Sequence, residues 1–525
     1  MKRFIYVNLL AALLIGIIFS SCRRAPKADL TIALPDKFSG LDTLTSSASD
    51  AAADRIRTLI YNSLVKKNER FEYVGDLAES ITVDSDNLTI RLNLRANVLF
   101  HDGTSFDSAD AKYTIESLLK TSEGPGGPSF KAGAFFDSGE GAVRKPHLLS
   151  VAAPAPDLLV IKVERPALVN QTLSNLVTIP MIPEGTFEKQ AQFPVGTGPF
   201  KFLSFDSVES TVDLARFPNY WDGPSSISIL RVKTVSDSNA LQSELRGGSV
   251  DLAPLPTNLT AETIVQLGGD PALQVERFNG SNVQYVGFNL SQPPFSDIKV
   301  RRAVAAAINR KEIIEKLLLG QAESATSVLP IDSWAYSAGQ SQEWDLAKAK
   351  SLLAQSSYKG EQVSLKFTSG SAAVKDYAQL VQDSLKQIGM NVALEPMDSN
   401  TLRTQLNQGQ FTMSTGTWIG GNQDPIFLRD LYDSSYWPEK LVSGRNRARY
   451  SNPSVDSLLK TAINSVDRNR AALAYQEVQN IVSGDLPLIP LWYPSNIVIH
   501  NRRVQNVTIN PSGDWSFVKD LRLSF

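Results

Sequence analysis

The stretch from Tyr61 to Leu119 sets the narrowest limits on how this chain folds. Leu88, Ile90, Leu92 and Leu94 alternate with Thr89, Arg91, Asn93 and Arg95, so one strand has an apolar and a polar face. Asp84-Ser85-Asp86-Asn87 is a turn cluster, and Ile81-Thr82-Val83 is predicted to pair back as a hairpin. A loop follows, Phe100-His101-Asp102-Gly103-Thr104. Asp107 then caps a helix, with Asp110 in its first turn. Ala111, Ile115, Leu118 and Leu119 recur at helical spacing. The His101-Asp102 pair reads as a loop stabiliser rather than as catalytic chemistry.

A chain of 525 residues is long enough for two or more domains. Its 52 basic and 54 acidic residues leave a net charge of −2, which gives no reason to expect a nucleic acid partner. Lys2 and Arg3 followed by the apolar run Leu9 to Phe19 read as a secretion signal, too short for a comfortable membrane span. Ser20-Ser21-Cys22 closes that run in the manner of a lipoprotein cleavage site, with Phe19 where Leu is usual. Cys22 is expected to carry lipid and to begin the mature chain, with Arg23 to Asp29 as a tether. It is the only cysteine, so disulfides and thiolate metal sites are excluded from the mature domain. His101, His147 and His500 lie in separate segments without metal-ligand spacing, and no metal or other cofactor is expected.

The opening stretch resembles the signature region of the family 5 extracellular solute-binding proteins, the peptide, dipeptide and nickel receptors of ABC importers. Leu77-Ala78-Glu79-Ser80, Leu94-Arg95 and Val98 to Thr104 match the family pattern, while Ser105 replaces a usual Pro and Ile81 a usual Trp. Further landmarks follow in family order: Val195-Gly196-Thr197-Gly198-Pro199-Phe200, Arg216-Phe217-Pro218-Asn219-Tyr220-Trp221, Gly247 to Asp251, and Tyr285 to Gly320. Gly196-x-Gly198 is too short for a dinucleotide fingerprint, and reads as a tight turn feeding a strand. Arg301, Arg302 and Arg310 read as solvated helix faces. Helices are expected over Arg55 to Leu64, Ala372 to Ile388 and Arg468 to Val482, and strands over Phe411 to Trp418 and Leu486 to Trp492.

The resemblance spans nearly all of Leu30 to Val504 and implies an α/β, two-lobed periplasmic-binding-protein-like fold with an extra domain and a discontinuous first lobe. The expected organisation is a signal peptide at 1–21, a lipid-anchored tether at 22–29, and a first lobe of 30–60, 186–277 and 486–525. An extra domain at 61–185 would pack on the first lobe, and 278–485 would form the second lobe. It further implies a receptor rather than an enzyme, monomeric, held outside a bacterial membrane by its lipid alone. Its lobes would close on a small peptide or peptide-sized solute and deliver it to a permease with ATPase subunits. A non-peptide solute such as an oligosaccharide or metal chelate is the alternative, and an extracytoplasmic hydrolase a more distant one, since G-x-S-x-G is absent.

In peptide-binding members one wall of the cleft is the segment corresponding to Thr417 to Pro425 and the other is the loop after the first strand, Phe38 to Leu41. The implied ligand-binding residues are Phe38, Ser39 and Gly40 on one side, and Trp418, Ile419, Gly420, Gly421, Asn422 and Asp424 on the other. The family's amino-terminus-holding Asp falls at Gly421, so this chain departs from the pattern there. Asp424 is the nearest replacement, but it aligns with an acid that holds the following turn.

Overall fold

The computed structural model describes residues 27–38, 40–42, 44–46, 50–121, 130–133, 135–136, 146–369, 372–441 and 444–524. The signal segment, Cys22 and Ser39 lie outside the described residues.

Leu30–Leu34 runs parallel to both of its neighbours, with Leu30, Ile32 and Leu34 buried on one face and Ala33 on the other, as in a strand covered on both faces. It sits inside a seven-stranded sheet. The order is Leu273–Phe278, Asn496–Asn501, Leu252–Pro254, Leu30–Leu34, Ile229–Thr234, Thr211–Arg216 and Phe200–Asp206. A second sheet has six strands, ordered Ala322–Ser324, Leu488–Pro494, Val283–Phe288, Met413–Trp418, Val363–Thr368 and Val392–Met397.

The opening stretch forms the antiparallel hairpin expected of it. Val83 faces Ile90, and Ile81 faces Leu92. Leu158–Val163 and Leu148–Ala155 extend it to four strands. Helix Ser108–Thr121 follows, with Asp107 accepting from the Ala109 amide at 2.7 Å and Asp110 accepting back from the Asp107 amide at 2.9 Å. Its apolar core is continuous with that of the first sheet.

The chain passes between the two large sheets twice, from Phe278 to Val283 and through Ser495. Phe278 pairs with Asn496 on one sheet, and Gln284 pairs with Trp492 on the other, so the crossings lie side by side. The Asn496 side-chain Nδ2 donates to the Asn279 carbonyl at 3.1 Å and holds them together. Gly280 permits this approach, because a Cβ there would stand 2.0 Å from the Pro494 carbonyl oxygen.

Three expectations shift. The helix expected at Arg55 to Leu64 is Ala51–Ile60, capped by Asp50, and it stops because Asn62 and Ser63 turn inward onto buried Asp76. The strand expected at Leu486 to Trp492 is Leu488–Pro494 and belongs to the second sheet, so the chain returns to the first lobe at Ser495 rather than at 486. Arg301 and Arg310 are buried rather than solvated. Arg301 donates to the Phe295 carbonyl at 2.6 Å and the Asp485 carbonyl at 2.8 Å, and Arg310 to the Gln342 carbonyl at 2.6 Å. Their forks satisfy backbone oxygens that would otherwise be buried without partners.

Candidate functional site

Strand Met413–Trp418 pairs along its whole length with Val283–Phe288 on one side. On the other side, Val363–Thr368 meets only Met413 and Ser414. Thr415 to Trp418 therefore has an unpaired edge among the described strands, at the end of the sheet nearest the crossings. Backbone donors and acceptors on such an edge can take an extended chain as an added strand.

The two faces of this half-strand differ, as alternation requires. On one, Gln284 donates to Thr415 Oγ1 at 3.1 Å and to the Tyr377 hydroxyl at 2.7 Å, and Thr417 donates to Gln284 Oε1 at 2.6 Å. On the other, Tyr285 lies opposite Gly416 and leans over it to stack on Trp418, with centroids 5.3 Å apart and planes 11° from parallel. Phe427 meets Trp418 edge-on at 5.1 Å. The Trp418 indole N–H is buried with no hydrogen-bond partner among the described residues.

After Trp418 the chain turns at Gly420, whose φ of +68° suits glycine. Ile419 is exposed. At Gly421 a Cβ would meet the Phe427 ring at 3.4 Å and Arg445 Nη1 at 3.8 Å, both ordinary contacts. Asn422 is wholly buried and donates to the carbonyls of Ser281 at 2.6 Å and Val328 at 2.8 Å. It clamps the first crossing and is not presented to a solute. Asp424 is also committed: one oxygen accepts from the Ile426 amide at 2.9 Å, the other from the Tyr73 hydroxyl. A solute ammonium would have to share oxygens that both already accept a bond.

Behind Trp418 lies a small pocket of about 30 Å³, lined by Tyr285, Phe411, Trp418, Tyr432, Arg445 and Arg447. Arg447 Nε donates to Asn407 Oδ1 at 2.8 Å, and its guanidinium lies 5.8 Å from the Trp418 ring centre. Burial, and repulsion from Arg445, Arg403 and Arg449 against an opposing effect of Tyr285, hold its pKa below the ordinary arginine value. The sequence reading passed over these arginines, although Arg445-x-Arg447-x-Arg449 is a dense basic run.

On the first lobe, Phe38 is buried and packs on Phe205 at 5.3 Å, so any role it has toward a solute is through its backbone. Gly40 follows it in the loop after Leu30–Leu34. No hydrogen bond or ring contact joins Phe38 or Gly40 to Trp418–Asp424 among the described residues. No group of three His, Cys, Asp or Glu side chains that could hold a metal ion occurs among them either.

A family model described as bacterial extracellular solute-binding proteins, family 5 middle, matches residues 72–439. The chain belongs to family 5 of the bacterial extracellular solute-binding proteins. Its relatives include a glutathione-binding protein GsiB from Salmonella paratyphi A, 27% identical over 531 residues that cover 98% of this chain and 99% of the relative. Heme-binding protein A from Haemophilus influenzae is 26% identical over 483 residues, 87% of this chain and 86% of that one. The ABC transporter substrate-binding protein CtaP from Listeria monocytogenes superposes with a TM-score of 0.81 at 23% identity, covering 94% of this chain and 99% of CtaP. The two-lobed periplasmic-binding-protein fold is thus established, and this family 5 protein is the extracytoplasmic substrate-binding component of an ABC importer. Family 5 proteins are transport receptors. Among the described residues no helix is long and apolar enough to cross a membrane.

Proposed function

We propose that this family 5 receptor captures an oligopeptide or peptide-like solute between its lobes, closes on it about the paired crossings, and delivers it to a permease. The observation that carries this reading is the unpaired edge of Thr415 to Trp418 beside the crossings. A backbone edge binds another backbone and reads few side chains, which suits a peptide carrier. The glutathione-binding name of a relative spanning 98% of the chain supports a peptide-like ligand. Phe38, Gly40 and Ser39 would line the facing wall, with Trp418 stacking on the solute. Cys22 would carry the lipid that holds a monomeric receptor at the membrane.

Mass spectrometry of the solute that co-purifies with the full-length receptor tests the reading directly. Peptides should be recovered, and tripeptide and longer libraries should raise the unfolding temperature. A thermal shift with an uncharged non-peptide and none with any peptide would sink it. Trp418→Ala should weaken binding about tenfold, since an aromatic stack contributes roughly 0.5–1.5 kcal/mol beyond its buried area. Unfolding should remain cooperative, and unchanged affinity would remove Trp418 from the site. Metabolic labelling with a radioactive fatty acid should mark the wild type and not Cys22→Ala; label in both, or in neither, would end the lipid assignment.

A further inference from the structure

The charge around Gly421 is the reverse of what would hold an ammonium. Every nearby carboxylate is committed. Asp424 serves Tyr73 and the Ile426 amide. Asp430 binds Arg429 at 2.8 Å and is 3.9 Å from Arg445. Glu439 holds Arg449. Arg447 has no carboxylate partner among the described residues, and Asn407 engages only its Nε, leaving two Nη groups for a ligand. Arg445 is half exposed and places Nη1 3.8 Å from where a Cβ on Gly421 would stand. Both guanidiniums border the same apolar pocket as the unpartnered Trp418 N–H.

We propose that the mouth of this pocket is an acid-selective subsite: it takes a carboxylate, so the solute presents an anion rather than a free α-amine to the second lobe. The inference rests on the peptide-like reading above. The Arg447 fork matches the two oxygens of a carboxylate, and Arg445 adds a second positive charge at the rim. The Trp418 N–H can donate to an oxygen that reaches past them. An ammonium would find donors and like charge, with no acceptor carboxylate free to compensate its desolvation. The missing side chain at Gly421 completes the arrangement, since a carboxylate there would neutralise Arg445.

Titration calorimetry on the full-length receptor, stripped of bound solute and held in detergent at neutral pH, tests this with 4-phenylbutyrate and three matched peptides. The peptides are Ala-Phe-Ala, N-acetyl-Ala-Phe-Ala and N-succinyl-Ala-Phe-Ala. The succinyl peptide should bind at least about tenfold more tightly than the free-amine peptide, as expected for one desolvated charge pair. Arg447→Gln should abolish that advantage while changing the affinity for the acetyl peptide less than about threefold. Gly421→Asp has room for its Cβ and should invert the order in favour of the free amine. Should Arg447→Gln fail to fold, Gly421→Asp alone decides. If the free-amine peptide binds wild type more tightly, the acid-selective subsite is wrong and the peptide reading stands. If no peptide binds but 4-phenylbutyrate does, the subsite stands and the peptide reading falls. If none of these probes binds, both fall.

Discussion

His101 joins the signature loop to the Gly196–Pro199 turn. Its Nε2–H donates to the Gly198 carbonyl at 3.0 Å, and the Gly196 amide donates to Nδ1 at 3.4 Å. The second bond requires the neutral ring, since only an unprotonated Nδ1 can accept. Burial lowers its pKa from 6.5 to about 4, against a partial restoring effect of the Gly198 bond. The unfolded ring titrates near 6.5, so stability is complete above that value and declines as pH falls toward 4, where the folded ring also takes a proton. This one group should cost on the order of 3 kcal/mol over that interval, at about 1.4 kcal/mol per pH unit. His101→Gln should flatten the dependence of the urea midpoint on pH between these limits; an unchanged slope would show that the ring is not held neutral. The sequence identified His101 as a loop stabiliser from the Asp-Gly turn beside it. It could not supply the partner, because Gly198 lies 97 residues away. Arg445 and Arg447 were illegible for a related reason. Alternating arginines in a polar loop look like solvated surface until the fold sets Asn407 and Trp418 beside them.

Helices were legible where an Asp or Asn preceded the apolar spacing. Asp107 and Asp467, which precede two of the expected helices, each accept from an amide in the first turn, and such caps contribute about 1 kcal/mol apiece. Leu488–Pro494 was displaced although Pro487 marks its start, because the proline does not tell which sheet takes the strand, and pairing with Val283–Phe288 does. Gly280 was not singled out, since nothing local demands a glycine: its place is dictated by Pro494, on a strand that arrives two hundred residues later. With 2.0 Å available, a methyl group at 280 must push the two crossings apart, since what it meets there is the Pro494 backbone carbonyl. Gly280→Ala should therefore lower the unfolding temperature by several degrees, in keeping with roughly 1–3 kcal/mol of overpacking. It should also weaken solute binding, because closure pivots where the crossings touch. A variant whose unfolding temperature and affinity both match wild type would mean that the crossings are not packed as described.

The lobes are held together by more than their crossings. Hairpin Val65–Lys67 and Tyr73–Gly75 reaches across to the second lobe. The Tyr73 hydroxyl donates to Asp424, and Lys67 donates to Gln423 at 3.5 Å. Trp334 donates its amide to the Arg70 carbonyl at 3.1 Å, while Arg468 covers the Trp334 ring at 4.4 Å and faces Glu72 at 3.7 Å. Asp424, expected from sequence to line the solute wall or hold its own turn, thus serves the turn and this bridge, and Tyr73 is 351 residues from it. A solute moves a receptor between open and closed forms only by its differential affinity for them, so any bond present in one form alone sets how much of that affinity is spent on closing. Tyr73→Phe removes a hydrogen bond to a charged acceptor, worth roughly 1.5–3 kcal/mol, and leaves the Ile426 amide to hold the turn. The solute-free variant should populate open forms about tenfold or more beyond wild type, seen as a larger radius of gyration in small-angle X-ray scattering. Saturating solute should restore the compact form, at an apparent affinity reduced by the same factor, because ligand contacts must now supply what the hydroxyl supplied. Equal radii and equal affinities would show that the hairpin merely touches the second lobe, leaving the crossings and the solute to govern closure between them.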